Sequence, residues 1–190
     1  MTRMIIVPGL CNSGARHWQS RWQQQLQDAT RITLPQWEQP DLHSWVDGIV
    51  AAVGHHTDNY LVAHSFGCLA SVAALEELGD RVRGVLLVAP ADPDKFKLAD
   101  LLPQSTLPVP GLVIGSLSDP WLSWNKAQLW AQRWELPIYC AGDAGHINVE
   151  SGHEEWHEGW QLLEKLQQPE AIELAPILSP RRQPLRALAY

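Results

Sequence analysis

Short apolar runs alternate along the chain with amphipathic stretches of helical period. Residues 4–7, 32–34, 60–63, 82–89, 111–116 and 137–141 read as strands, and 85–89 and 112–114 are apolar at every position, the pattern of strands covered on both faces. The intervening segments predict helices over 17–28, 42–53 with Asp41 as N-cap, 66–78 ending at Gly79, 123–134 and 156–166. Strand and helix in strict alternation predict an α/β fold, a mostly parallel sheet with helices on both faces. In the strand order 2-1-3-4-5-6, the loops after strands one and three flank the switch point where such sheets bind ligands.

Two stretches fall outside this rhythm. Residues 90–110 carry five prolines and little periodicity, which predicts a surface excursion over one end of the sheet. Residues 169–190, with three Arg against one Glu over the last twenty, read as a tail that stays disordered or packs late. The expected organisation is a single domain over 1–168 followed by this tail, since 190 residues leave room for little else.

Composition sharpens the picture at three points. A net charge of −7 excludes a binder of phosphate backbones, which needs clustered Lys and Arg. Cys11, Cys68 and Cys140 are widely spaced and form no Cys-x-x-Cys pair, which predicts buried thiols in a reducing compartment. The opening apolar run is too short for a signal-peptide core and no later segment has the length of a membrane span, so the expected location is cytoplasmic, with no membrane partner. Ten of the fifteen aromatics are Trp, and none of these lies in the most apolar runs.

The segment Tyr60-Leu-Val-Ala-His-Ser-Phe-Gly-Cys-Leu-Ala70 carries an apolar strand straight into a helix through His64-Ser65-Phe66-Gly67. It approximates G-x-S-x-G, the elbow that lifts a serine hydroxyl out of a sheet. Strand and helix nearly touch there, so the neighbours two residues either side of Ser65 must be small. Gly67 supplies one, and Ala63 replaces the other glycine. Taken alone, an ordinary N-cap serine explains the segment equally well.

The rest of the set changes that balance. An α/β serine hydrolase needs an acid and then a histidine after the serine, each at the carboxyl end of a later strand. Asp119 in Ser118-Asp119-Pro120 follows the fifth apolar run, 54 residues after Ser65. His146 in Gly142-Asp-Ala-Gly-His146 follows the sixth, 27 residues further on. Each interval holds whole strand–helix units, so all three side chains return to one sheet edge. A turn aspartate before a proline and a polar loop histidine are ordinary one at a time; three such residues, each at a strand end and in this order, are not. Ser65 is the expected nucleophile, His146 the general base and then acid, and Asp119 the group fixing the imidazole. Asp92, just after the fourth run, is the alternative acid, and Asp143 is expected to order the histidine loop.

The oxyanion donors are expected to be the backbone N–H of Phe66, at the helix start, and of Leu10 in the loop after the first strand, with Cys11 as fallback. That loop has Gly9 and Gly14 at Walker spacing, but Ala15-Arg16 stand where Lys-Ser/Thr is required. His153-Glu154-Glu155-Trp156-His157 satisfies H-E-x-x-H, the zinc-protease signature. Ser151-Gly152 just upstream means that the helix is only starting there, so the match reads as chance and no metal is expected.

Together these pieces resemble the small α/β hydrolases typified by the retinoblastoma-binding serine hydrolase. The resemblance rests on Val7-Pro-Gly9, Asn12-Ser13-Gly14 followed by His17-Trp18, the Ser65 elbow, Ser118-Asp119-Pro120, Gly142-Asp-Ala-Gly-His-Ile-Asn148 and Glu150-Ser-Gly152, over about residues 4–160. It implies an α/β-hydrolase core with a minimal lid, and a cofactor-free serine hydrolase with Ser65, Asp119 and His146 as its triad. The expected reaction is cleavage of a small carboxylic ester or amide through an acyl-enzyme. Trp18, Trp121 and Trp124 are the expected pocket walls, and Trp156 a buttress of the histidine loop. Two other readings are a non-catalytic protein-binding module on the same scaffold, and a zinc hydrolase using His153 and His157. The sequence leaves the leaving group, acyl size and oligomeric state open.

Overall fold

The alternation of apolar and amphipathic segments is realised as a six-stranded sheet in the order β2-β1-β3-β4-β5-β6, parallel at every pairing. The computed structural model describes residues 2–168; the expected tail lies outside them. Along the chain run β1 (Arg3–Val7), α1 (Trp18–Gln25), β2 (Ala29–Arg31), α2 (Leu42–Val53), β3 (Asn59–His64), α3 (Phe66–Leu78), β4 (Val82–Val88), β5 (Gly111–Gly115), α4 (Trp124–Arg133), β6 (Ile138–Cys140) and α5 (His157–Leu166). β3 and β4 occupy the centre because they are apolar on both sides, and every residue of β3 is buried.

Side chains alternate across the sheet, so it feeds two cores. On one face, Ile5, Leu61, Val85 and Val113 pack with Trp45 and Ile49 of α2, Leu69 and Leu75 of α3, and Trp130 of α4. On the other, Ile6, Val62, Leu86 and Ile114 meet Trp18 and Trp22 of α1, Trp156, and Leu163 of α5. α2 begins where the sequence predicts it, with the Asp41 carboxylate accepting from the His43 N–H at 3.1 Å.

Three expectations are corrected. The second strand is residues 29–31 rather than 32–34: β2 pairs Ala29 with Met4 and Arg31 with Ile6, after which Ile32 and Leu34 leave the edge and are buried in the α2 core. The proline-rich segment is less a surface excursion than a packed one. It forms two 3-10 turns, Pro93–Phe96 and Ala99–Leu101, and sends Leu98, Leu102, Leu107 and Val109 into that same core. Of the three thiols only Cys68 is buried; Cys140 is half-buried and Cys11 is exposed. No helix among the described residues is long and apolar enough to cross a membrane.

Candidate active site

β3 passes into α3 through Ser65 alone, which adopts φ 54° and ψ −122°. This is a region a non-glycine residue occupies at a cost of about 1–3 kcal/mol, so surrounding bonds must hold it. They do: the Ser65 N–H donates to the Val88 carbonyl at 3.0 Å, and its carbonyl accepts from Cys68 and Ala91 N–H. Gly67 is needed because the start of α3 touches the end of β1. A Cβ there would lie 2.4 Å from the Pro8 carbonyl oxygen and 2.5 Å from that of Val7. The Ala63 methyl, by contrast, is accommodated within the buried centre of the sheet.

The three side chains singled out in the sequence meet at the carboxyl edge. The Ser65 Oγ lies 2.9 Å from His146 Nε2, and His146 Nδ1 is 3.0 Å from both Asp119 carboxylate oxygens. The Asp119 side chain is only 2% exposed and that of His146 10%. An Asp119 carboxylate facing Nδ1 places the imidazole proton on that nitrogen, leaving the Nε2 lone pair toward the serine O–H. Asp119 Oδ1 also accepts the Trp121 N–H at 2.9 Å, which fixes the carboxylate from its other side. Asp92, the alternative acid, is engaged elsewhere: it accepts from Lys126 Nζ at 2.7 Å and caps the Pro93–Phe96 turn through the Asp94 N–H.

The histidine loop is ordered by groups the sequence reading passed over. Ser116 Oγ accepts from the Ala144 N–H at 3.0 Å and donates to the Gly142 carbonyl at 3.1 Å. Ser118 Oγ accepts from the Gly145 N–H at 3.1 Å. Two serines of the acid loop thus hold the histidine loop, while Asp143, expected in that role, is exposed. Only the spacing of Ser116 and Ser118 just upstream of Asp119 hinted at this. Ile147, next to the histidine, has φ 48°, an outlier for a β-branched residue. Its carbonyl accepts the Trp18 indole N–H at 2.9 Å.

That bond corrects the role expected of Trp18. It is completely buried, tilted against Trp22 at 4.5 Å and edge-on to Trp156 at 5.1 Å, and lies beneath the loop rather than in a pocket wall. Trp156 stacks on Trp22 at 5.7 Å, which fits the buttress expected of it. Trp124 is half-buried, with its ring packed over Gly115 at the end of β5. Of the three expected walls only Trp121 is exposed beside the three residues, 53% exposed and 6.2 Å from the His146 ring.

His64, the last residue of β3, is a further residue that the motif did not flag. Its Nε2 donates to the His146 carbonyl at 2.9 Å, and its ring lies 4.8 Å from His146 and 4.9 Å from His17. Burial, reinforced by His17 and His146, pushes its pKa well below the ordinary imidazole value, so it is neutral. His17 is lowered to about 4 by burial, then by Arg31 and His146. Being neutral, it can cap α1 by accepting the Gln19 N–H on Nδ1 at 3.2 Å.

The loop after β1 turns sharply, with Cys11 and Asn12 at φ 63° and 62°. The Cys11 N–H is taken by the Trp37 carbonyl at 2.9 Å, which removes it as an anion donor. The H-E-x-x-H segment fails as a zinc motif on geometry. α5 begins only at His157 and Trp156 has φ 38°, so the two histidines do not share a helical face. Glu154 and Glu155 pair with Arg21, and Glu154 with Arg16 at 3.4 Å. Among the described residues no group of three or more His, Cys, Asp or Glu could hold a metal.

The sequence profile of the serine hydrolase family matches residues 4–165. A YdeN-like hydrolase from Pectobacterium atrosepticum is 38% identical and superimposes with a TM-score of 0.85, covering 89% of this chain and 92% of its own. The ydeN gene product of Bacillus subtilis, at 23% identity and TM-score 0.74, covers 88% of this chain and 100% of its own. Est1E from Butyrivibrio proteoclasticus, solved with ferulic acid, is 14% identical with a TM-score of 0.65 over 93% of this chain and 90% of its own. The last two likenesses are of fold alone. No curated protein matches in sequence. The profile match over nearly the whole described chain, on an α/β-hydrolase fold, makes this chain a member of the serine hydrolase family.

Proposed function

We propose that this hydrolase cleaves small carboxylic esters or amides through an acyl-enzyme on Ser65. The observation that carries the reading is the continuous chain from the Ser65 Oγ to His146 Nε2 at 2.9 Å and from Nδ1 to the buried Asp119 carboxylate at 3.0 Å. Ser65 Oγ attacks the carbonyl carbon while its proton passes to His146 Nε2. The Leu10 and Phe66 N–H groups receive the developing oxyanion. His146 then protonates the leaving alcohol or amine as the intermediate collapses to the Ser65 ester. Water repeats the sequence: it gives a proton to Nε2, attacks the acyl carbon, and releases the acid as Ser65 regains its proton.

Asp119 holds the imidazole in the required tautomer and stabilises it once it carries both protons. Trp121 lines the mouth beside the histidine. The protein's own groups carry every proton in this scheme, and its expected setting is a reducing cytoplasm. The Bacillus subtilis carboxylesterase CesB shares the fold, with a TM-score of 0.60 at 13% identity, which agrees with ester chemistry on this scaffold.

Labelling with a fluorophosphonate probe, together with turnover of p-nitrophenyl esters and aminoacyl amides of graded size, tests the proposal. Wild type takes the label and turns over at least one series, and Ser65→Ala does neither. Wild-type protein that takes no label beyond that of Ser65→Ala refutes the proposal and favours a binding module on this scaffold.

A further inference from the structure

The two amides proposed to hold the oxyanion come from different strands: Leu10 follows β1 by three residues, and Phe66 follows β3 by two. Their separation, which decides whether both can reach one oxygen, is therefore a tertiary property. Backbone donors act only when held about 2.7–3.1 Å from the oxyanion. One side chain bonds to both strand ends. Gln19, on the first turn of α1 and fully buried, donates through Nε2 to the Val7 carbonyl at 3.1 Å and to the Val62 carbonyl at 3.0 Å.

Its remaining polar atom is also engaged. Gln19 Oε1 accepts the Ser13 O–H at 2.6 Å, and Ser13 belongs to the same loop as Leu10. The Ser13 carbonyl accepts from Arg31 Nη1 and from Ser20 Oγ, each at 2.8 Å. Arg31 also reaches Asn12 Oδ1 at 2.8 Å, and Asn12 Oδ1 accepts the Ser13 N–H at 2.7 Å. Gln19 thus bonds to β1, to β3 and to the far side of the loop that carries Leu10, with both amide hydrogens and the oxygen used. A buried amide so fully satisfied is rigid, and removing it leaves several groups unpaired at once.

We infer that Gln19 is a positioning residue that sets the gap between the two halves of the oxyanion hole, with Ser13 as its brace on the Leu10 loop. The inference rests on the acyl-enzyme reading above. It accounts for part of the Asn12-Ser13-Gly14 and His17-Trp18 segment, which the proton-transfer groups leave unexplained. Among the described residues, Gln19 makes no hydrogen bond to Ser65, His146 or Asp119. Its loss therefore weakens stabilisation of the tetrahedral intermediate without altering proton transfer.

The test is the pre-steady-state burst of p-nitrophenolate for wild type, Gln19→Met and Ser13→Ala, with thermal unfolding to establish the folded fraction. Gln19→Met is expected to acylate about 10²-fold more slowly, the scale of losing one oxyanion donor. Its substrate dissociation constant, read from the concentration dependence of the burst rate, should stay within about three-fold, because ground-state binding is untouched. The acid limb of its pH profile should keep the wild-type midpoint. Ser13→Ala, which removes a single hydrogen bond, is expected to lose about five-fold. A folded Gln19→Met that acylates at the wild-type rate, shows its loss only in the substrate dissociation constant, or moves the acid limb overturns the inference. Should Gln19→Met not fold, Ser13→Ala decides: an unchanged burst rate overturns it, and a loss confined to the acylation rate supports it. A wild type that takes no fluorophosphonate label beyond that of Ser65→Ala overturns the acyl-enzyme reading, and this inference with it.

Discussion

The elbow that carries Ser65 and the loop that carries His146 face each other across 2.9 Å, yet they are held in place by different means. The elbow is fixed by the backbone and by steric exclusion. β3 is buried at every residue, Ser65 is pinned by Val88, Cys68 and Ala91, and Gly67 lies where no side chain fits. The histidine loop leaves β6, a three-residue, half-buried edge strand. Its order comes from side chains: Ser116, Ser118, Trp18, and the Asn148–Ser151 capping box. Placement by exclusion fails all at once, whereas placement by a hydrogen-bond network weakens bond by bond. The two proposed partners in proton transfer should therefore answer mutation differently.

Several substitutions probe that contrast. The largest effect belongs to the acid that faces the histidine: Asp119→Asn should lower acylation about 10⁴-fold, by favouring the wrong imidazole tautomer, with little change in unfolding temperature. Steady-state and burst kinetics read this directly, and a loss below ten-fold would mean that another group orients the histidine. Gly67→Ala should cost roughly 3 kcal/mol or more of stability, because the clash is with backbone that cannot rotate away. Activity should vanish in parallel, as urea unfolding and ester turnover on the same preparation would show. A stable, active Gly67→Ala would end the claim that exclusion sets the elbow.

The two regions are joined by His64 and bordered by His17, which makes acid stability a third probe. Folding lowers His17 from its ordinary 6.5 to about 4, so its contribution is intact above pH 6.5. It is lost progressively as pH falls toward 4, because the unfolded chain takes up a proton that the folded one refuses. The shift corresponds to about 3 kcal/mol, and His64 acts in the same direction. Urea unfolding from pH 7 to pH 4 should show this decline, and His17→Asn, which keeps an N-cap acceptor, should flatten it. The smallest effect is expected in the loop itself. Ser116→Ala strands the Ala144 N–H and should cost about 1–2 kcal/mol, with a partial loss of activity. An all-or-none collapse there would erase the distinction between loop and elbow.

How much of this could be read from the chain follows the same division. The elbow is a local object: an apolar strand, a serine and a small residue two positions on, adjacent in sequence and governed by sterics. Asp119 and His146 were legible because a parallel sheet returns each strand end to one edge, so position after an apolar run stands in for position in space. The 66–78 and 42–53 helices were recovered to the residue because Gly79 and Asp41 mark their ends. Trp18 was misplaced because nearness in sequence to the Leu10 loop says nothing about whether a side chain points up to the mouth or down into the core. Residues 32–34 resembled a strand because a buried loop needs the same apolar residues. Ser116, Ser118, His64 and Gln19 act through contacts between separate elements, and no periodicity announces such contacts.

The indoles beneath the histidine loop also make the protein its own spectroscopic probe. Trp18 lies 4.5 Å from Trp22 and 5.1 Å from Trp156, and Trp22 and Trp156 are stacked within 8° of parallel. Indole transitions this close couple, and the coupled near-ultraviolet circular dichroism exists only while the three rings keep their mutual angles. It should disappear when side-chain packing is lost, even where far-ultraviolet helix signal persists. Because Trp18 is bonded to the residue that follows His146, that signal reports, without any label, whether His146 still faces Ser65.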